Sequence, residues 1–261
     1  MSKSSVINSK QKARFHLETH EQAKERNEAK IIAFWNSGDK KLANISEKMM
    51  ACRPQNPCGL LACSVCLRHF RYHYLKRYIG MWLRLYQKCP VYYVTAVLRV
   101  PVNAKKMPLN DFKMWVKKHF KQYGFDKVPL MGGVDYSVNI DETYNRPYIC
   151  QHLHFLIAMQ YPKAFTECLK RAFPVGENVP RPVRVDAITD REGLQKALNY
   201  TIPAFFEKRW RKLINERHRT KHYPLGNKQL CELYRFLATN KPKDLMFSQN
   251  ISNQDIKRFK K

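Results

Sequence analysis

Two histidines separated by a single leucine, His152 and His154, lie in the apolar run QHLHFLI at residues 151–157. Successive side chains of a β-strand point to opposite faces, so both imidazoles share one face and the apolar residues share the other. Neutral imidazole is a common ligand of divalent metals. The run therefore predicts a core strand that offers half of a metal site. A strand whose histidines only meet solvent is the alternative.

An acidic residue is expected close to this pair. Residues 132–140, GGVDYSVNI, alternate strictly, which places Asp135, Ser137 and Asn139 on the polar face of a second strand. A polar loop at 141–147 separates the two strands, as in an antiparallel hairpin. In a suitable register, Asp135 lies across from the histidines on the same face and completes a set of three metal ligands.

A compact cysteine cluster predicts a separate metal site. Its spacing is C-x5-C-x4-C-x2-C, and its members are Cys52, Cys58, Cys63 and Cys66. Four thiolates favour tetrahedral Zn²⁺ in a structural role, because no coordination position is left open for catalysis. His69 could replace one thiolate, and free thiols or an iron–sulfur cluster are the alternatives.

The composition indicates a polyanionic partner. The chain has 48 Lys and Arg against 21 Asp and Glu, a formal net charge of +27, which is typical of nucleic-acid-binding proteins. With 44% hydrophobic residues it can also bury a real core. No apolar run is long enough to cross a membrane and Met1–Ser5 lacks a secretory signal, so we expect no membrane partner and a reducing, cytoplasmic location.

The first part of the chain is predicted to be helical and basic. Residues 10–36 lack Gly and Pro and predict a helical arm that either contacts DNA or is only solvated. A long helix is predicted over Leu67–Gln87, where apolar residues repeat every three or four positions. Its other faces carry candidate phosphate contacts: Arg68, Arg71, Lys76, Arg77 and Arg84.

The remainder alternates between strands and helices. β-branched and aromatic residues predict a buried strand at 91–100 and a short strand at 183–188. Helices are predicted at 109–122, 162–172 and 190–202, and the region after Trp210 is expected to be basic and partly helical. The helix at 190–202 carries Tyr200, with Lys196 one turn earlier on the same side. Taken alone, Tyr200 is an ordinary interfacial aromatic residue.

In this order, the strand at 93–98, Asp135, the HLH strand and the tyrosine helix resemble the core of HUH endonucleases. The similarity covers about residues 90–206 and is greatest to the rolling-circle replication initiators of bacterial plasmids and phages. It implies that His152, His154 and Asp135 bind the catalytic Mg²⁺ or Mn²⁺, with Asp135 where a glutamate is more usual. Zn²⁺ or Fe²⁺ would also suit these ligands.

The resemblance implies Tyr200 as nucleophile. Many members place a lysine three residues after the tyrosine, where this chain has Pro203, so Lys196 is the candidate for a similar charge. The implied fold is α+β, with a central antiparallel sheet, flanking helices and a preceding zinc module. The expected segments are a basic arm at 1–48, the zinc cluster and helix at 49–88, the catalytic domain at 89–210 and a basic extension at 211–261.

The implied activity is nicking and joining of single-stranded origin DNA through a 5′-phosphotyrosine link and a free 3′-hydroxyl. Single-stranded DNA, an origin duplex or hairpin, and a host helicase and polymerase are the implied partners. A zinc-ribbon DNA-binding regulator, an HUH transposase and an unrelated metallohydrolase are the other interpretations. A relaxase is disfavoured, since its tyrosine usually precedes its histidines and Tyr200 follows them.

Overall fold

The computed structural model describes residues 17–97, 108–141, 147–160, 162–176, 179, 181–204, 206–214 and 217–251. These residues form two compact units. The first contains the described residues up to Leu75 and those from Leu225 to Asp244, and the second contains those from Lys76 to Pro224 and from Leu245 onward. The predicted segments 1–48, 49–88, 89–210 and 211–261 stay predictions, and residues 98–107 and 252–261 lie outside the described residues.

The first unit is helical. Helix α1 (His20–Trp35) begins at a capping box, in which Thr19 and Gln22 satisfy each other's backbone N–H groups. Helix α2 (Lys40–Met50) begins at Asp39, which accepts from the N–H groups of Lys41 and Leu42. Helix α7 (Asn227–Leu237) packs with both, and Phe34 meets Tyr234 edge to face at 5.4 Å between ring centroids. The cysteine loop lies between α2 and helix α3 (Ser64–Lys88).

Two of the candidate phosphate contacts on α3 are buried inside this unit. Arg71 Nη1 lies 2.5 Å from Glu18 Oε2, and Arg68 Nε donates to the Glu18 carbonyl at 2.9 Å. Arg26 Nη2 lies 3.1 Å from the other carboxylate oxygen. Arg68 and Arg71 are therefore neither exposed phosphate contacts nor part of a solvated face, because Glu18 binds both guanidinium groups in the interior.

The second unit is built on one mixed sheet. Its strands are β1 (Val91–Val97), β2 (Leu130–Asp141), β3 (Tyr148–Ala158), β4 (Val183–Ala187), β5 (Glu207–Ile214), β6 (Arg217–Pro224) and β7 (Met246–Gln249). Their order is β4-β1-β3-β2-β5-β6, and β7 pairs with the first part of β2. The central strands β4, β1, β3 and β2 are antiparallel as predicted, but β5 runs parallel to β2 and makes the sheet mixed.

The sheet has one apolar and one polar face around β3. On the apolar face, helices α4 (Leu109–Gln122) and α5 (Pro162–Ala172) cover Phe155, whose ring centroid lies 5.6 Å from that of Phe120 and 6.3 Å from that of Phe165. Helix α6 (Arg191–Tyr200) meets the polar face at its C-terminal end, as the contact of Thr201 with Gly133 described below shows. Because the side chains of β3 alternate between the two faces, its apolar residues lie in the core and its histidines lie in the candidate site.

The region after Trp210 is more ordered than predicted. Strands β5 and β6 form an antiparallel hairpin that extends the sheet, and α7 follows in the first unit. The sequence pattern failed here because basic residues at successive positions of 208–212 and 217–221 obscure the alternation that indicates a strand. No helix in the described part of the chain is long and apolar enough to span a membrane.

The buried Glu18 cluster makes a testable prediction. Glu18→Gln leaves the guanidinium of Arg71, whose side chain is 5% exposed, without its carboxylate. We expect the free energy of unfolding of the first unit to fall by about 3 kcal/mol, the cost of breaking a buried ion pair. The control is Glu167→Gln, which removes an exposed pair with Lys170 and should leave stability unchanged. Equal denaturation midpoints by urea titration for the two variants would contradict this account.

Candidate metal centre and tyrosine

The register of β2 and β3 brings the three predicted ligands together. Asp135 pairs with His152, and Gly133 pairs with His154. One ligand atom from each of Asp135, His152 and His154 lies within 4.8 Å of the other two. His154 Nε2 stands 3.6 Å from Asp135 Oδ2. A carboxylate and two imidazoles at this separation form a donor set that suits a divalent cation.

Two hydroxyl groups of β1 orient His154. Its Nδ1 lies 2.8 Å from the Tyr93 hydroxyl and 3.2 Å from Thr95 Oγ1. When Nδ1 donates to either oxygen, Nε2 keeps its lone pair and faces Asp135. Burial raises the pKa of Tyr93, so this phenol stays protonated and is a hydrogen-bonding partner of the imidazole, not a charged one.

His152 is oriented by a hydroxyl from β2. The side chain is 1% exposed, and its Nε2 lies 3.2 Å from Ser137 Oγ. Ser137 donates its hydrogen to Asn139 Oδ1 at 2.7 Å, so Nε2 must donate to Ser137 and Nδ1 carries the lone pair. That Nδ1 is buried and has no hydrogen-bond partner among the described residues. A metal ion at this nitrogen would satisfy it.

The electrostatics keep His152 in the form that binds metal. Burial is the main cause that lowers the pKa of His152 well below its usual value, and the positive charge of Arg209 is the next. The imidazole therefore stays neutral at physiological pH. Together with Asp135, the site fits a bound divalent cation.

Helix α6 places Tyr200 beside this group. The helix begins at Asp190, which accepts from the Gly193 N–H, and ends at Tyr200. A Cβ at Gly133 would overlap the Thr201 carbonyl oxygen, so the absence of a side chain lets the end of α6 rest on β2 next to His154. Tyr200 is 66% exposed, and its charge contributes to the raised pKa of Tyr93, which contacts His154.

Lys196 lies one turn before Tyr200, as predicted, but has a partner on its own helix. Its Nζ is 2.7 Å from Glu192 Oε1, and both side chains are exposed. Glu192 is the main cause that raises the pKa of Lys196, while Tyr200 adds a smaller effect of the same sign. Lys196 is therefore charged near Tyr200, without being joined to the three ligands.

The four predicted zinc ligands converge in the first unit. The Sγ atoms of Cys52 and Cys66 lie 3.5 Å apart, those of Cys58 and Cys66 3.6 Å, and those of Cys52 and Cys63 3.8 Å. Zinc–sulfur bonds of about 2.3 Å in a tetrahedron require sulfurs about 3.8 Å apart. No disulfide links these thiols. The four-cysteine group can therefore bind zinc. His69 is exposed and meets His73 edge to face at 4.3 Å between ring centroids, so it is not part of the group.

A buried lysine stands next to the cluster. Lys30 Nζ donates to the Ala62 carbonyl at 3.0 Å and to the Tyr234 hydroxyl at 2.9 Å. Burial lowers the pKa of Lys30 to about 7, and the charge of Cys63 opposes that shift. Within the cluster, thiol hydrogen bonds from Cys63 and Cys66 lower the pKa of Cys58 to about 2. The site thus already favours a thiolate.

Sequence reasoning missed several residues around the first centre. Tyr93 and Thr95 were assigned only to a buried strand, yet their alternation on β1 and its pairing with β3 place both on the face of His154. Gly133 and Arg209 were also missed. The glycine gave a usable signal, because glycines in strands often mark close approach of another backbone.

Removal of one cysteine ligand should unfold the first unit selectively. We expect Cys63→Ser to lose the one zinc ion bound per chain and to lower helical content, since zinc binding contributes directly to folding of such clusters. Zinc analysis and far-ultraviolet circular dichroism of the purified protein check this. Cys168→Ser, outside the cluster, should keep its zinc. A Cys63→Ser protein that retains both zinc and helix content would exclude this site.

No model of a known protein family matches this chain, and neither does any curated protein or solved structure. Function is therefore argued from the two sites themselves. One offers three ligands for a divalent cation beside an exposed tyrosine, and the other offers four thiols.

Proposed function

We propose that the protein is an HUH-type replication initiator that nicks single-stranded origin DNA with Tyr200. The observation that carries this proposal is the end of α6, which lies on Gly133 next to His154 and so holds an exposed tyrosine beside three metal ligands. Tyr200 contributes little to packing, because two thirds of its surface remains exposed to solvent.

The reaction that this arrangement supports is a transesterification. Asp135, His152 and His154 would hold Mg²⁺ or Mn²⁺, which supplies Lewis-acid stabilisation of charge on the scissile phosphate. The Tyr200 oxygen forms a bond to phosphorus as it loses its proton, and the bond from phosphorus to the 3′ oxygen breaks. The 3′ oxygen gains a proton, and the 5′-phosphotyrosine keeps the phosphodiester energy for later joining.

The remaining residues suit this substrate. The charge of Lys196, one turn before Tyr200 on the same helix, would attract the phosphate backbone of a bound strand. The net charge of +27 attracts single strand and duplex alike. A host polymerase would extend the free 3′-hydroxyl and a helicase would open the duplex. The proposed location of the protein is therefore the cytoplasm of a bacterium that carries a plasmid or phage.

The nucleophile can be tested with a covalent adduct. We expect the zinc-loaded protein with Mn²⁺ to form a labelled adduct with a pool of 5′- and 3′-labelled single-stranded DNA, and the label retained by the protein to be on the 3′ side of the nick. Tyr200→Phe removes the attacking oxygen and should abolish the adduct on denaturing gels. Tyr123→Phe, at the end of α4 in the same unit, is the matched control and should leave it intact.

Two outcomes would contradict the proposal. An adduct that persists in Tyr200→Phe would move the nucleophile to another residue. Tight DNA binding without an adduct from any sequence in the pool would favour a zinc-containing DNA-binding regulator, in which the three ligands are only structural.

A further inference from the structure

Arg209 lies on the polar face of the sheet, in the same row as the candidate metal centre. Strand β5 pairs with β2 so that Arg209 stands beside Asn139. Paired residues of neighbouring strands project to the same face, and Asn139 shares its face with Ser137 and Asp135. A line of side chains on this face therefore runs from Asp135 through Ser137 and Asn139 to Arg209. Within it, Ser137 and Asn139 are joined by a hydrogen bond.

The guanidinium group of Arg209 carries its positive charge on the face of the candidate centre. Arg209 Nε is buried and has no hydrogen-bond partner among the described residues. A buried guanidinium nitrogen without a partner carries a desolvation cost that a bound anion would offset.

The acidic residue that precedes Arg209 on the same strand and face has another partner. Glu207 lies two residues before Arg209 on β5, and its Oε2 is 2.7 Å from His222 Nδ1. His222 is itself the cross-strand partner of Arg209 on β6. The Glu207–His222 pair therefore occupies the carboxylate, and no ion pair to Arg209 occurs among the described residues.

We propose that Arg209 binds one phosphodiester group of the single-stranded DNA. This group is the neighbour, along the same strand, of the phosphodiester group held at Asp135, His152 and His154. This inference rests on the proposed function and deepens it, because it gives the substrate a path across the sheet from β3 to β5. The planar guanidinium can donate two parallel hydrogen bonds to one phosphate. Beyond it, the β5–β6 hairpin continues with basic sequence, KRWRK and RHRTK.

The test measures binding without cleavage, in the Tyr200→Phe background with Mn²⁺. Anisotropy of a short fluorescein-labelled oligothymidylate gives the affinity over a salt series. Arg209→Gln should weaken binding severalfold and reduce the log–log salt slope by about 0.7, the value for one phosphate of a single strand. Arg209→Lys should restore the slope while binding less tightly, because a lysine cannot form the paired contact.

The matched control is Arg184→Gln, on β4 at the opposite edge of the sheet, where the arginine already pairs with Asp186. It should leave the slope unchanged. An unchanged slope in Arg209→Gln, at equal thermal stability, would overturn the inference. Displacement of the oligonucleotide by inorganic phosphate beyond an equal ionic strength of chloride would also overturn it, since the site would then take free phosphate.

Failure of this inference and failure of the nicking proposal are distinguishable. Binding in the Tyr200→Phe protein does not require the covalent step. If no adduct forms but the salt slope depends on Arg209, the nicking proposal alone is rejected. If an adduct forms but the salt slope does not depend on Arg209, the phosphate subsite alone is rejected.

Discussion

The pairing of β2 with β3 is the constraint on which the candidate centre depends. In its register Asp135 faces His152, and the same pairing sends Leu153 and Phe155 into the core beneath α4 and α5. A slip by one residue would turn every side chain of β3 to the other face, moving both imidazoles away from Asp135 and removing the leucine and phenylalanine from the core. The free energy of the apolar core therefore fixes the geometry of the ligands.

Neighbouring elements then use this pairing. Strand β1 supplies hydroxyl groups to one nitrogen of His154, and the other nitrogen faces Asp135. Strand β2 supplies the Ser137 hydroxyl to one nitrogen of His152, and the other nitrogen has no partner among the described residues. Such outer contacts set tautomer and orientation in metal sites. The absence of a side chain at Gly133 admits the Thr201 carbonyl at the end of α6, next in the chain to Tyr200. Ligands and tyrosine are thus positioned by backbone packing.

Features with local causes were predictable from the sequence. The helices at 109–122 and 162–172 have the predicted bounds, and the alternation around Asp135 and His152 gave the correct hairpin. Features with distant causes were not. The parallel pairing of β5 depends on contacts made about seventy residues after β2. The burial of Arg68 and Arg71 could not be predicted, because Glu18, whose carbonyl accepts from Arg68 and whose carboxylate pairs with Arg71, lies about fifty residues earlier in the sequence. The role of Arg209 could not be predicted, since its strand was not.

The central claim is that Asp135, His152 and His154 bind a divalent cation beside Tyr200. Electron paramagnetic resonance of a Mn²⁺ titration into the zinc-loaded protein tests it most directly, because free and bound Mn²⁺ are counted separately. We expect one Mn²⁺ per chain, lost in His154→Ala and retained in His222→Ala, which changes a histidine on the same sheet outside the ligand set. Equal Mn²⁺ binding by the two variants, or none by the unaltered protein, would contradict the account.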